Sequence, residues 1–251
     1  MATTTRLKFD ELNRLDYRKY FGEMLITPEQ MRKRIALARD IEDVMLFLFA
    51  YWAIAAEAEI SKAEVVEDTV SKFTTAVEKH MKLDPYIESH IKQVVNEIVD
   101  VTEKEEEKRK AKEEQERSDE EEDVDAALSL DELLEYNSQT ETAKRKGHES
   151  ENKDYWLSHD RAMYISENEA NAFGNYQEYR EAKVSGKTTK VWLTELDEKV
   201  RLTHTLAEGE KTDIDGLFLV GDSLMRFPRD AEYDPDPAEI VNCRCACVYE
   251  P

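Results

Sequence analysis

Cysteine is nearly absent from this chain: there are three, and Cys243, Cys245 and Cys247 all fall within the last nine residues. No upstream partner exists to staple a long loop. That excludes the disulfide framework of a small secreted domain and favours a reducing cytosol. Glycine and proline are scarce too, at seven and six of 251 residues, too few for a loop-rich or all-β chain. Basic residues are outnumbered, 35 Lys and Arg against 57 Asp and Glu, for a formal net charge of -22. Such a chain repels polyphosphate, which argues against nucleic-acid binding through a broad basic surface. Met1 to Asp10 holds no apolar stretch with a cleavage site, so no signal peptide is expected. Long hydrophobic runs are missing as well. The one apolar stretch, Val44 to Ala56, is bracketed by Asp43 and Glu57 and falls far short of the ~20 residues that span a bilayer. It reads as a buried core helix or as a docking face for another subunit, since a helix apolar all round needs cover on every side.

What is present is mostly helix. Thr27-Pro28-Glu29-Gln30 combines a capping box with proline in the first turn and predicts a helix from Pro28 to about Ala58. Ser61 with Glu64 repeats the box and opens a second helix towards Lys82. Asp84-Pro85 opens a third, carrying the stripe Ile87, Ile91, Val94, Val95 and Ile98. From Glu103 to Arg117 the stripe gives way to charge, with pairs such as Glu106–Lys110 able to carry the helix into solvent, and the acidic block Asp119–Asp123 should fray. A short amphipathic piece, Leu130–Tyr136, and a polar stretch, Asn137–Lys153, follow; another helix is expected over Asp154–Lys183, closed by Gly186.

The fold class read from this pattern is α+β. An N-terminal helical bundle with a long charged helix occupies 1–118, an acidic and polar linker 119–153, and a small α+β domain with short antiparallel strands 154–251.

In the last segment, Lys190–Leu193 reads as a strand and Thr194–Ala207 as a helix that Gly209 ends in the left-handed conformation. Asp197, Arg201, His204 and Glu208 would share one face of that helix, with Leu196, Val200, Thr203 and Ala207 packed inward. The polar face is either an Asp–Arg ion pair beside a hydrogen-bonded histidine or the seat of acid–base or metal chemistry at His204. Leu217–Phe227 reads as a β-hairpin turning at Gly221-Asp222, and Pro228 stops its second strand. Asp234-Pro235-Asp236-Pro237 reads as a rigid connector, and Ile240–Tyr249 as a final strand. In an extended strand the three thiols point to one face, about 6.5–7 Å per step, which is too long for a relaxed disulfide. Buried reduced thiols, a catalytic thiolate, or a zinc site formed by two cysteines and His204 on a bent strand are the readings available. Gly186-Lys187-Thr188 only imitates a phosphate loop, because Glu181 stands where its second glycine belongs.

Trp192, Asp197, Arg201, His204, Gly209, Phe218, Gly221, Pro228 and the terminal Asn242-Cys243-Arg244-Cys245 occur in the order of the Mu F-like domain of phage head-morphogenesis proteins, which this segment resembles. Upstream, Arg161, Glu167, Asn171 and the Gly186 turn resemble the helix that leads into that domain. The resemblance implies a minor head structural protein of a tailed phage, not an enzyme. It implies the portal protein as partner, with scaffolding or major capsid protein as further partners, and a role in procapsid assembly or in DNA packaging and ejection. It places the protein in the virion, at the capsid interior or portal vertex, after assembly in the host cytoplasm, with indirect contact to DNA and none to membrane. Leu46, Phe47, Phe49, Tyr51 and Trp52 are the expected docking residues. No cofactor is required, and zinc at His204, Cys243 and Cys245 is the one candidate. A rival reading makes the segment nuclease-like, with Arg201 beside His204 as general acid or base; His148 and His159 lie outside the motif.

Overall fold

Helix α1, Pro28–Ala55, starts at the predicted capping box: the Gln30 amide donates to Thr27 Oγ1 at 3.2 Å and the Thr27 amide to Gln30 Oε1 at 2.6 Å. The computed structural model describes residues 26–55, 58–122 and 155–251. Helix α2, Lys62–Glu78, opens on the Ser61–Glu64 box and ends before Lys82, in a turn where His80 Nε2 meets Asp40 Oδ2 at 2.7 Å. Helix α3, Pro85–Glu122, is capped by Asp84, which accepts from the Ile87 amide at 3.0 Å. All five residues of its predicted stripe are buried. Beyond Thr102 it continues as the expected charged rod, with Glu106 3.2 Å from Lys110. The helix includes Asp119 to Glu122, where fraying was expected. Residues 123–125, Leu130–Tyr136, the stretch Asn137–Lys153 with His148, and Met1 to Asp10 lie outside the described residues.

A 3-10 turn, Tyr155–Leu157, leads into α4, His159–Val184. This helix is buried on nearly every side between Arg161 and Ala182, and it makes its most extensive contact with α1. Small residues permit that approach. A Cβ on Gly174 would lie 2.5 Å from Arg34 Nε of α1. The main core draws on all four helices and also takes in Phe227 and Ala246 from the C-terminal segment. One core therefore joins the two sides of the 119–153 stretch. Val44, Met45, Leu48 and Phe49 point into it, so the inner face of the apolar run serves the core. No helix among the described residues is long and apolar enough to cross a membrane.

Two small antiparallel sheets complete the α+β fold. Strand β1, Thr189–Leu193, lies between β2, Lys211–Asp213, and β5, Ala246–Glu250. Strands β3, Phe218–Val220, and β4, Ser223–Met225, form the predicted hairpin, and Gly221 at φ 59° supplies its turn.

Two sequence expectations are corrected here. The helix expected over Thr194–Ala207 is only α5, Leu202–Ala207, because Leu196 takes a left-handed conformation at φ 54° and interrupts it. Leu196 is accordingly 71% exposed instead of packed inward. The strand expected from Ile240 begins at Ala246: Asp236 caps a one-turn helix, α6, Pro237–Ile240, and Asn242 at φ 58° then turns the chain.

One buried pair ties α3 to α4: His90 Nε2 lies 2.7 Å from Glu169 Oε2. Burial alone would raise the Glu169 carboxyl, but the hydrogen bond from His90, with the charges of His90 and Arg229, holds it below the usual carboxylate range. A lowered folded-state pKa contributes stability above the unfolded value near 4.5, and that contribution is lost as pH falls through the folded value. Glu169→Gln is thus expected to destabilise the protein at pH 7. Urea unfolding should show the gap to wild type closing as pH falls from the ordinary glutamate value of 4.5 through the lower folded-state value; a gap independent of pH would count against this origin.

Candidate metal centre

The centre forms where three short elements are fastened together. Gly209, left-handed at φ 74°, ends α5 and donates its amide to the Trp192 carbonyl at 2.9 Å. That bond ties α5 to β1 and turns His204 inward, where the ring is 1% exposed and meets Trp192 edge-on at 5.8 Å. The turn at Asn242 sends Cys243 and Cys245 back towards the same point before β5 begins.

His204, Cys243 and Cys245 each offer one ligand atom, and the three atoms lie within 4.8 Å of one another. His204 Nδ1 is 3.2 Å from Cys245 Sγ and 3.6 Å from Cys243 Sγ. Around a tetrahedral zinc ion with bonds of ~2.0 Å to nitrogen and ~2.3 Å to sulfur, adjacent nitrogen and sulfur ligands stand about 3.5 Å apart. The donor set therefore fits one such ion. Its other nitrogen, Nε2, lies 2.9 Å from Glu239 Oε2, which also accepts from Thr203 Oγ1 at 2.8 Å. A proton on Nε2 donated to Glu239 leaves the Nδ1 lone pair facing the sulfurs, the carboxylate–histidine pairing that orients metal ligands. Glu239 approaches so closely that a Cβ on Gly221 would sit 2.7 Å from its Oε1.

The thiols are electrostatically unlike. Without a metal, with both His204 nitrogens protonated, burial opposes ionisation of Cys243, yet hydrogen bonds from Cys245 and His204, with the charges of His204 and Arg229, hold its thiol well below the usual value. Cys245 is pushed up by its hydrogen bond with Cys243 and by burial. Cys247, in β5 opposite Trp192, is outside the cluster, and burial raises its thiol.

The other motif residues surround this point in structural roles. Trp192 and Phe218 are fully buried, 5.3 Å apart and edge to face. They share a small core with Ala207, Val220, Met225, Cys243 and Cys245. Asp197 does not pair with Arg201, since the interrupted helix separates them; it takes both terminal nitrogens of Arg244, at 2.8 and 2.5 Å. Arg201 donates to the Val241 carbonyl. The Pro228 carbonyl accepts from Asn175 at 2.9 Å, and the Asn242 amide donates to Asn168 at 3.0 Å. For the nuclease reading, both nitrogens of His204 are engaged inside the protein, so neither faces an approaching phosphodiester. His159 lies 2.7 Å from Glu42, remote from the cluster in the fold.

Of the expected docking residues, Phe49 is buried at 2% exposure under the Arg161 guanidinium and is not open to a partner. Leu46, Tyr51 and Trp52 are half-buried at the core's edge, and Phe47 is half-buried outside that core. Lys72 covers Phe47 at 4.3 Å, Tyr51 donates to Asp68 at 3.2 Å and Trp52 to Glu106 at 3.0 Å. Beside them Ile54 is 54% exposed.

Sequence reasoning missed Glu239, which has no local signature, and Lys190. Lys190 is fully buried, with its ammonium on the Ile214 and Gly216 carbonyls at 2.7 and 2.8 Å, and burial lowers its pKa to about 8. No protein-family model, curated protein or solved structure matches this chain.

Proposed function

We propose that this chain is a minor head structural protein of a tailed phage, associated with the portal and acting in procapsid assembly or in DNA packaging and ejection. The observation that carries the reading is the convergence of the residues behind the Mu F-like resemblance. Trp192, His204, Phe218, Cys243 and Cys245, spread over the last sixty positions, gather in one small buried cluster. A motif that specifies one small unit would gather in this way. The acidic surface supports the reading too, since a protein working beside a packaged genome gains from not adhering to it.

In this reading the outer edge of the apolar run, around Tyr51 and Ile54, meets the portal. The chain, expressed with its portal protein during procapsid assembly, is expected to co-purify with portal rings. Ile54→Glu should weaken that association at least tenfold without changing the circular dichroism spectrum. Rings that assemble normally and carry none of the chain would overturn the proposal.

A zinc-stabilised C-terminal unit is the second reading, favoured by the spacing of the three ligand atoms. His204, Cys243 and Cys245 would hold the ion, which would supply a cross-link between α5 and the loop before β5. The three ligands border a narrow cleft that Glu195, Lys199, Arg201 and Arg244 also line.

A further inference from the structure

We infer that Asn171 and Asn175 of α4, braced by Arg34 of α1, are positioning residues that set the two cysteine ligands of the metal centre. The inference rests on the zinc reading above and adds to it the part of the protein that controls the site.

Asn171 Nδ2 donates to the Cys243 carbonyl at 2.9 Å, and Asn175 Nδ2 reaches the Cys245 carbonyl at 3.4 Å and the Pro228 carbonyl at 2.9 Å. One turn earlier, Asn168 Oδ1 accepts from the Asn242 amide at 3.0 Å. The i, i+4 spacing places Asn171 and Asn175 on one face of α4, opposite the loop that carries both cysteines. Tying both carbonyls to α4 sets the backbone positions from which the two thiols reach His204.

The asparagines are themselves held. Arg34 donates through Nη1 to Asn171 Oδ1 and through Nη2 to Asn175 Oδ1 at 2.9 Å and Glu178 Oε1 at 2.6 Å. With each amide oxygen taken by the guanidinium, each amide nitrogen is directed at the cysteine loop. Arg34, Asn171 and Asn175 are all at most 3% exposed, so water does not compete for these bonds. Gly174 leaves the space that the guanidinium occupies. Two roles are thereby joined in one network: docking of α1 on α4, and alignment of the thiolates.

Asn171→Asp tests the link. It keeps an oxygen for Arg34 but sets a carboxylate oxygen against the Cys243 carbonyl. Zinc affinity of the full chain is measured under reducing conditions against a chromophoric chelator, and cobalt(II) replaces zinc to report thiolate coordination by its charge-transfer absorption. The expected result is a 10- to 100-fold loss of zinc affinity, the usual effect of removing an outer-shell partner, together with a shifted or weakened cobalt–thiolate band. Val65→Ala, a buried core change on α2 outside the hydrogen-bond network, controls for lost stability and should leave both readouts unchanged. Wild-type affinity and spectrum in Asn171→Asp would overturn the inference while leaving the zinc reading intact. No metal binding by the wild type would remove the zinc reading and this inference with it. If Asn171→Asp does not fold, hydrogen exchange in wild type decides. Zinc should slow exchange around Arg34 because coupling is reciprocal, and unchanged exchange there would overturn it.

Discussion

Asp230→Asn should lower the free energy of unfolding by ~3–5 kcal/mol, the usual cost of removing one partner of a buried ion pair. Asp230 is fully buried, and its carboxylate accepts five hydrogen bonds. Three come from Arg226, through its backbone amide at 3.0 Å, Nε at 2.7 Å and Nη2 at 3.0 Å. The Glu232 amide and the Tyr86 hydroxyl supply the others, each at 3.2 Å. Around the guanidinium stand the rings of Tyr86, Tyr179, Phe227 and Tyr233, 5.3 to 5.7 Å away. Burial works against the Arg226 charge, but the hydrogen bond and charge of Asp230 outweigh it. Asparagine has nearly the same shape, yet it removes the buried countercharge, leaves only the half-exposed Glu232 carboxylate on the guanidinium, and turns an amide NH2 towards hydrogen-bond donors. The damage would also spread, because Tyr86 belongs to α3, Tyr179 to α4 and Arg226 to the end of the hairpin. Urea unfolding of the full chain measures the effect, and a loss below about 1 kcal/mol would show that the rings and Glu232 carry Arg226 without Asp230.

Much of the fold was legible because its signals are local. The boxes Thr27–Gln30 and Ser61–Glu64, the Asp84-Pro85 start and the stripe on α3 specify their helices within a few residues of themselves. Gly186, Gly209 and Gly221 all adopt the left-handed conformation that their positions implied. The errors came at Leu196 and Asn242, where residues other than glycine take positive φ. Asparagine tolerates that conformation, so the turn before Cys243 had a weak signal. Leucine does not, and nothing in the sequence announced it.

The site was legible as a set of residues but not as a geometry. His204, Cys243 and Cys245 could be named, whereas the Asn242 turn that carries both cysteines towards His204, and the irregular chain from Cys243 to Cys245, could not. The supporting groups were invisible for a different reason. Arg34 and Asn171 are 137 positions apart, and their bond depends on α1 lying against the Gly174 face of α4. Periodicity marked apolar faces, while α4 buries asparagines that a hydropathy pattern assigns to solvent.

Zinc should bind the reduced wild type with one ion per chain, and Cys243→Ser should abolish stoichiometric binding. Apart from its ties to α4 and the main core, the C-terminal cluster has a core of only seven buried residues, two of them thiols that would be metal ligands. Cores that small are generally reinforced by a disulfide or a metal, and the spacing of the thiols with His204 offers the metal. An ion joining His204 to Cys243 and Cys245 would close loops across 39 and 41 positions, an interval containing the hairpin and α6. At free zinc one thousand times the dissociation constant, binding to the folded state alone contributes about 4 kcal/mol. Chelation should therefore lower the melting temperature of the wild type, speed hydrogen exchange in α5 and the loop before β5, and leave α2 unaffected. Cys247→Ser, altering a thiol outside the cluster, should retain the ion and the response to chelator. If Cys243→Ser holds zinc as tightly as the wild type, the three atoms are packed neighbours and nothing more.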